Sequence, residues 1–150
     1  MKFEVLGKIK GKARPRLGKY NTYTPTDTIN YENLVKISYL NARGINFYDK
    51  PIKMKIEAIF EPAKSISKKK RNELMMVQAV TKKPDFDNIG KIVADALNKI
   101  AYNDDSQICK FEIIKRYGEE EKLIIEVEEY ENTKDSNKRK KKVRIYSKSE

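Results

Sequence analysis

Two pairs of aspartates stand on either side of one predicted helix in the middle of the chain. Asp85 and Asp87 precede the helix, and Asp104 and Asp105 follow it. In an extended segment, residues i and i+2 point to the same side, about 7 Å apart, so Asp85 and Asp87 can present two carboxylates to one ion. Like charges this close disfavour each other unless a cation offsets them. Mg²⁺, with Mn²⁺ as the alternative, suits hard oxygen ligands and keeps open positions for water and phosphate.

The predicted helix covers Asn88 to Ile100. Its apolar face follows a 3.6-residue period through Ile89, Ile92, Val93, Ala96, Leu97 and Ile100. Asp87 or Asn88 can cap its start, where the helix dipole favours a carboxylate. Asp87 and Lys91 both lie on the side of the helix opposite the apolar face, one turn apart. Lys91 can therefore reach a phosphate held by the same metal. We interpret Asp95 as an ordinary surface partner of Lys91, because the two are spaced i,i+4.

The chain as a whole is strongly basic. Its 33 Lys and Arg against 22 Asp and Glu give a net charge of +11, which predicts nucleic acid as the first candidate partner and an anionic membrane as the second. With no histidine and one cysteine, Ser-His catalysis, histidine-ligated nuclease sites and cysteine-rich zinc sites are excluded. No apolar run approaches the length of a membrane span and the first residues do not resemble a signal peptide, so we expect a cytoplasmic protein.

Two segments concentrate the positive charge before the aspartates. Seven basic residues and one acidic residue lie between Met1 and Tyr20, in a loop that contains Arg14 and Arg16. A second run holds Lys68, Lys69, Lys70 and Arg71. Each run is interpreted either as a solvated face or as a surface that contacts DNA phosphates, and the sequence leaves both interpretations open.

The remaining pattern indicates a single α+β domain. Strands are predicted at Phe3 and Val5, over Ile52 to Phe60, and as a hairpin whose faces are Cys109, Phe111 and Ile113 in one strand and Leu123, Ile125 and Val127 in the other. A helix is predicted over Asn30 to Ala42 with Leu34, Val35, Ile37 and Leu40 buried, and Ser67 is the predicted cap of a second helix. We expect the domain to cover residues 1–130. Residues 131–150 form a basic extension in which Val143, Ile145 and Tyr146 can order as an edge strand.

Several motifs together resemble the RusA family of Holliday junction resolvases. They are K-P-D-F-D-N from Lys83, then Lys91, D-A-L from Asp95 and D-D-S-Q-I from Asp104, with GKARPRLGKYNTYTP and EPAKSISKKKR upstream. The similarity extends over about Lys8 to Tyr130. It implies a mixed β-sheet with about two main helices packed on one face.

The resemblance also implies an activity, a bacterial or phage origin and an assembly. The expected protein is a Mg²⁺-dependent endonuclease that nicks four-way DNA junctions as a homodimer, in DNA recombination and repair. The implied metal ligands are Asp85, Asp87 and Asp105, and Lys91 matches the catalytically required lysine. Some members carry an arginine directly before the first aspartate. Here Pro84 stands in that place, and Lys82 and Lys83 just upstream are the expected DNA contacts.

Two other functions fit the same residues. The chain can be a nucleic-acid-binding protein without catalysis, in which the aspartates only cap helices and form turns. It can also be a nuclease for flaps or other branched DNA, which would share the site but not the substrate.

The spacing raises the question of which chain supplies Asp105. A helix from Asn88 to Ile100 carries the chain about 18–20 Å from Asp87, whereas the five residues to Asp105 span at most about 17 Å. Unless the helix ends near Leu97, Asp105 barely returns to its own site. We therefore predict that Asp105 completes the site of a dimer partner, and convergence of all three carboxylates within one chain would contradict this.

Overall fold

The computed structural model describes residues 1–131, and its framework is a four-stranded mixed sheet. The strands are β1 (Lys2–Leu6), β4 (Ile52–Phe60), β5 (Ile108–Tyr117) and β6 (Lys122–Glu129), in the spatial order β1-β6-β4-β5. Two further strands, β2 (Arg16–Leu17) and β3 (Thr22–Tyr23), pair only with each other. The predicted α+β class is confirmed. The predicted tail strand at residues 143–146 lies outside the described residues.

The central strand β4 has the alternation that the sequence predicts. Ile52, Met54, Ile56, Ala58 and Phe60 are all buried on one face. The strand pairs in parallel with β5 and antiparallel with β6, so both of its edges are covered. The residues of its buried face are part of the hydrophobic core.

The predicted hairpin of β5 and β6 is wrong. The two strands follow each other in sequence but lie on opposite sides of β4. Where the chain crosses the end of β4, the backbone N–H of Gly118 donates to the carbonyl of Phe60. Alternating residues determine which face of a strand is buried, but they do not determine its neighbour. The short connection after Tyr117 therefore crosses the end of β4 and does not form a hairpin turn.

Helix α1 (Thr26–Asn41) buries a different face from the predicted one. Its buried residues are Thr28, Tyr31, Val35 and Tyr39. Of the predicted stripe only Val35 is buried, and Leu34, Ile37 and Leu40 are exposed. The tyrosines take the core positions because each ring has a large apolar area to bury. Tyr39 donates to the carbonyl of Ile45 and packs edge-on against Phe3.

Helix α3 (Phe86–Leu97) carries the acidic segment and ends three residues before the predicted Ile100. The predicted apolar face is confirmed from Ile89 to Leu97, all of it buried. After Leu97 the chain turns, and Lys99 adopts a left-handed conformation with φ of 65°. Tyr102 is buried after this turn and donates to the carbonyl of Ala94 at 2.8 Å, which ties the returning chain to the helix.

Ser67 is the N-cap residue of helix α2 (Lys68–Val77), as predicted, and its side chain accepts from the backbone N–H of Lys70. No residue of α2 is buried, in contrast with α1 and α3, which pack on each other and on the sheet. Within residues 1–131, no helix combines the length and the apolar character needed to cross a membrane.

Candidate functional site

A groove of about 680 Å³ runs between α3 and β5, and three of the four predicted catalytic residues line it. These are Asp87, Lys91 and Asp105. The remaining lining is mostly apolar and consists of Phe86, Gly90, Ala94, Ile108, Phe111 and Ile113, with Glu112 at the edge. The groove therefore places three carboxylates and an ammonium group beside a mostly apolar surface.

Gly90 sets the depth of this groove. A Cβ atom at Gly90 would lie 2.5 Å from Phe111 Cε1 and 2.9 Å from Ile113 Cδ1, distances that real side chains do not tolerate. Glycine thus lets β5 approach α3 directly, between the turns of the helix that carry Asp87 and Lys91. A larger residue would push the strand away from the helix and widen the site.

Asp85 and Asp87 flank the start of α3, but they differ in their surroundings. Asp85 is the N-cap residue, yet its carboxylate makes no capping hydrogen bond and pairs instead with Lys83 at 3.3 Å. It does not line the groove. Asp87 lies in the first turn, where the helix dipole favours a negative charge. Within residues 1–131 the side chain of Asp87 has neither a hydrogen bond nor an ion pair, so it is available to a ligand.

The segment before Asp85 is fixed by a lysine from β5. The ammonium of Lys115 donates to the carbonyl of Lys82 and, at 2.8 Å, to that of Pro84. The Lys83–Pro84 peptide bond is cis. Burial is the first cause that lowers the pKa of Lys115, and the charge of Asp85 opposes this shift. Lys115 was not predicted from sequence as a residue that supports the site.

Asp105 is held by a short 3₁₀ turn, Asp105–Gln107. Its neighbour Asp104 caps this turn and accepts from Ser106. The side-chain oxygen of Gln107 accepts from the backbone N–H groups of Asn103 and Asp104, both at 2.9 Å. Its amide nitrogen donates to the carbonyls of Tyr48 and Lys50. Gln107 thus connects the turn to the loop before β4, a role that its place in the D-D-S-Q-I motif did not reveal.

Lys91 stands between two carboxylates. Its ammonium lies 2.9 Å from Asp95 Oδ1 and 3.4 Å from Asp105 Oδ2. The hydrogen bond to Asp95 is the main cause that raises the pKa of Lys91, so the side chain is cationic at neutral pH. A cation here faces the groove next to Asp105.

The interpretation of Asp95 as an ordinary surface residue is incomplete. Its side chain is only 20% exposed, and its second oxygen lies 2.9 Å from the ammonium of Lys12. Partial burial alone would raise the pKa of Asp95, but the hydrogen bonds from Lys91 and Lys12 outweigh it and hold the pKa below its usual value. Nothing in the local sequence connects residue 12 to residue 95, so this contact could not be predicted.

The predicted metal ligands are only partly assembled. Among residues 1–131, no three acidic or cysteine side chains lie close enough together to hold a metal ion. The donor set of the groove is nevertheless hard oxygen from Asp87 and Asp105, and Mg²⁺ is often bound by one or two carboxylates together with substrate phosphate. These two residues fit such an ion, whereas Asp85 faces Lys83.

The reason for assigning Asp105 to a partner chain disappears in the structure. Helix α3 ends at Leu97, which shortens the distance that the returning chain must cover. Asp105 lies beside Lys91 of its own chain and lines the same groove as Asp87. Since Asp85 does not join them, the structure brings together two of the three predicted carboxylates within one chain.

The predicted DNA contacts occupy varied positions. Arg14 and Arg16 are exposed in the loop around β2, and Lys68, Lys69 and Lys70 are exposed on α2. Arg71 is paired with Glu119 at 3.1 Å. Lys82 lies over the rings of Phe60 and Tyr117, and Lys83 pairs with Asp85. Of the first five, Lys70 pairs with Glu73 at 3.7 Å, and the other four have no ion pair among residues 1–131.

Carboxylates and a lysine in one groove of a basic α+β domain are the groups that metal-assisted phosphodiester hydrolysis uses. The family model of endodeoxyribonuclease RusA matches residues 7–128 of the chain. The chain therefore belongs to the RusA endodeoxyribonuclease family, as residues 83–108 predicted. It is also 31% identical over 137 residues to an uncharacterized protein of Bacillus subtilis (strain 168), YqaN, with 86% of this chain and 96% of that protein covered.

Proposed function

We propose that this protein is a Mg²⁺-dependent endonuclease that cleaves four-way DNA junctions as a homodimer in recombination and repair. The observation that carries the proposal is the groove of a RusA-family chain in which Asp87, Lys91 and Asp105 lie together. Mn²⁺ is the alternative ion. Bound divalent metal would supply an activated water and stabilise the leaving oxygen.

The residues of the chain have separate tasks in this proposal. Asp87 and Asp105 would hold the ion with their oxygens, and Asp85, at the mouth of α3, would join them only if it left Lys83. The ammonium of Lys91 would neutralise charge that develops on the scissile phosphate. The apolar wall of Phe86 and Phe111 would contact the sugar and base next to that phosphate, since a phosphate alone needs no apolar surface.

The exposed basic residues would bind the DNA backbone on either side of the groove. The loop with Arg14 and Arg16 and the first turn of α2 with Lys68, Lys69 and Lys70 are the main candidates. Lys70, Arg71, Lys82 and Lys83 would have to exchange their present partners for phosphate. Because each phosphate contact releases counterions, affinity for the junction should fall steeply as salt is raised.

The decisive experiment is a cleavage assay on a synthetic four-way junction and on linear duplex of the same sequence, each with Mg²⁺ or with a chelator. We expect cleavage of the junction only, and only with the metal. Equal cutting of both substrates would overturn the proposed substrate. Flap and three-way substrates in the same assay test the alternative of another branched-DNA nuclease.

A second candidate, a DNA-binding protein without catalysis, is favoured by one observation, the absence of a three-carboxylate cluster among residues 1–131. Asp87→Asn separates the two candidates. In a nuclease the change abolishes Mg²⁺-dependent nicking and preserves or strengthens junction binding, because a negative charge is removed near the phosphate. A binding protein has no nicking activity to lose.

A further inference from the structure

Five charged side chains of alternating sign form a continuous row from α1 to the groove. The row runs Glu32, Lys12, Asp95, Lys91, Asp105, and each neighbouring pair is in contact. The last two residues belong to the candidate active site. The first three do not line the groove, so the row connects the site to α1 and to the basic loop.

We infer that Asp95 is the positioning residue of Lys91, and that Lys12 holds Asp95 in place. The inference rests on the proposed function in one respect, the catalytic role of Lys91. The geometry assigns each oxygen of Asp95 to a different ammonium, Oδ1 to Lys91 and Oδ2 to Lys12, both at 2.9 Å. A carboxylate held at both oxygens cannot rotate, so it offers Lys91 a fixed acceptor.

Lys12 is itself fixed from three directions. Its ammonium also pairs with Glu32 of α1, and its backbone N–H donates to the carbonyl of Asn88 at 2.8 Å. The preceding Gly11 packs so closely on the start of α3 that a Cβ there would lie 2.9 Å from the Cβ of Asn88 and 3.0 Å from that of Pro84. The position of Lys12 therefore follows from the loop backbone as well as from its side chain.

The inner part of this row is more buried than the exposed Lys10–Asp27 pair, whereas Lys91 at its outer part is 56% exposed. The side chains of Lys12, Glu32 and Asp95 are 24%, 17% and 20% exposed, whereas the exposures in the Lys10–Asp27 pair are 41% and 81%. Water and salt screen partly buried charges less than exposed ones. An exposed ion pair contributes little, but one that is shielded and shared by two lysines restrains both of them.

The restraint matters because Lys91 has a competing partner. Asp105 lies at 3.4 Å from the same ammonium, a longer distance than that to Asp95. When Asp105 turns to another cation, Lys91 retains Asp95 and stays at the groove. Without Asp95, the flexible lysine side chain would pair with Asp105 alone, which both misplaces the ammonium and occupies a carboxylate of the site.

The test compares Asp95→Asn with Asp27→Asn, a matched change at the exposed Lys10–Asp27 pair. Single-turnover cleavage of a four-way junction should slow by about 10- to 100-fold in Asp95→Asn, since misplacement of about 1 Å costs that much, while metal-free junction affinity stays within about twofold. Asp27→Asn should retain the wild-type rate. Asp95→Glu should recover part of the loss, because it restores a carboxylate. Equal losses of rate and affinity in Asp95→Asn would indicate a merely structural role and overturn the inference.

A second readout needs neither cleavage nor metal. NMR of the lysine ¹⁵Nζ groups should show a restrained Lys91 ammonium in the wild type and in Asp27→Asn, and a mobile one in Asp95→Asn and in Lys12→Met. An unchanged Lys91 signal in both of these variants would overturn the inference, even if one of them were poorly folded. If the wild-type protein cuts no junction, the proposed function fails, whereas the NMR comparison still decides whether Asp95 positions Lys91.

Discussion

The neighbouring carboxylates of Asp104 and Asp105 have different tasks although the sequence presents them as a pair. Asp104 accepts hydrogen bonds within the 3₁₀ turn and hydrogen-bonds with Ser106, and these contacts lower its pKa, with the Ser106 hydroxyl as the main cause. Asp105 instead faces Lys91 and the groove. Asp104 thus shapes the turn, whereas Asp105 faces the groove in which we propose that it holds the ion, so Asp104 is a matched control for Asp105.

Asp105→Asn should abolish cleavage, whereas Asp104→Asn should leave it within about threefold of wild type. Asparagine at Asp104 keeps an oxygen that can cap the turn. At Asp105 the same change removes a charged oxygen from the proposed metal site. Cleavage rates with Mg²⁺ and melting temperatures of both variants give the comparison. Similar activity of the two variants would show that Asp105 has no role in the site.

The depressed pKa of Asp95 predicts a pH-dependent contribution to stability. The facing charges are Lys91 on the same helix and Lys12 on the loop, with Glu32 and Asp105 behind them. Because the folded-state pKa is below the ordinary 3.8, the contribution is complete above about pH 5 and is lost as the pH falls through the folded-state value.

Asp95→Asn should therefore unfold with a free energy about 1–3 kcal/mol lower than wild type at pH 7. The difference should shrink as the pH falls below about 5 and vanish once the pH is below the folded-state pKa of Asp95, because the wild-type carboxyl becomes neutral as well. Urea unfolding at several pH values measures it. A difference that stays constant down to pH 2.5 would show that the charge of Asp95 does not contribute.

At the scale of elements, the site depends on contacts between segments that are far apart in sequence. Gln107 connects the 3₁₀ turn to the loop before β4 through two donated and two accepted hydrogen bonds. This loop is also tied to the turn that follows α3, because the N–H of Phe47 donates to the carbonyl of Ala101 at 2.7 Å. The position of Asp105 is therefore set by the loop before β4 and the turn after α3 together.

Gln107→Ala should destabilise the protein by about 0.5–1.5 kcal/mol, since it removes hydrogen bonds to exposed backbone groups that water can partly satisfy. It should also reduce cleavage more than the loss of folded protein explains, because Asp105 loses its support. Gln78→Ala, at the exposed end of α2, is the matched control and should change neither quantity by much. Thermal unfolding and cleavage rates measured below the melting temperature test both parts. Wild-type activity in folded Gln107→Ala would refute the supporting role.

Hydrophobic periodicity determined which elements could be predicted. The faces of β4 and α3 follow from regular spacing of apolar residues, and so does the position of Asp87 and Lys91 on one side of a helix. The partner of β6 could not be predicted, because alternation is the same whether β5 or β4 lies beside it. The buried stripe of α1 was missed because its tyrosines count as weakly apolar, although their rings fill the core. The Lys12–Asp95 contact depends on tertiary structure alone.

At the scale of the whole molecule, the charge is unevenly distributed. The sheet face opposite the helices carries ion pairs between neighbouring strands, such as Lys2–Glu126, Lys122–Glu4 and Lys53–Glu128. Residues 132–150 contribute +6 of the net charge of +11. Among residues 1–131, basic side chains are concentrated in the loop around Arg14 and Arg16 and on α2. We expect this concentration of positive charge to orient bound DNA relative to the groove, which an even distribution would not do.

A four-way junction has two-fold symmetry, so paired nicks need two sites related in the same way. Helix α1 offers a surface for such a pairing. Leu34, Ile37 and Leu40 are 38%, 54% and 58% exposed, although the helix already buries its opposite face. Leu34 also lines a depression with Leu6 and Phe3. Contiguous exposed aliphatic side chains mark contact surfaces, and we expect a second copy of the chain to cover these.

The wild-type protein should therefore have twice the monomer mass of 17.5 kDa in solution, and the double variant Leu34→Glu with Leu40→Glu should have the monomer mass. Light scattering after size exclusion measures both, with Asn33→Glu, an exposed polar position on the same helix, as the control.

The monomeric variant should still nick a junction on one strand but lose paired nicking, because the groove of each chain carries its own Asp87, Lys91 and Asp105. A wild-type monomer would contradict the proposed homodimer, and a double variant that remained dimeric would move the interface away from α1. If instead the monomeric variant lost all nicking, each groove would need a contribution from its partner despite the convergence of these three residues within one chain.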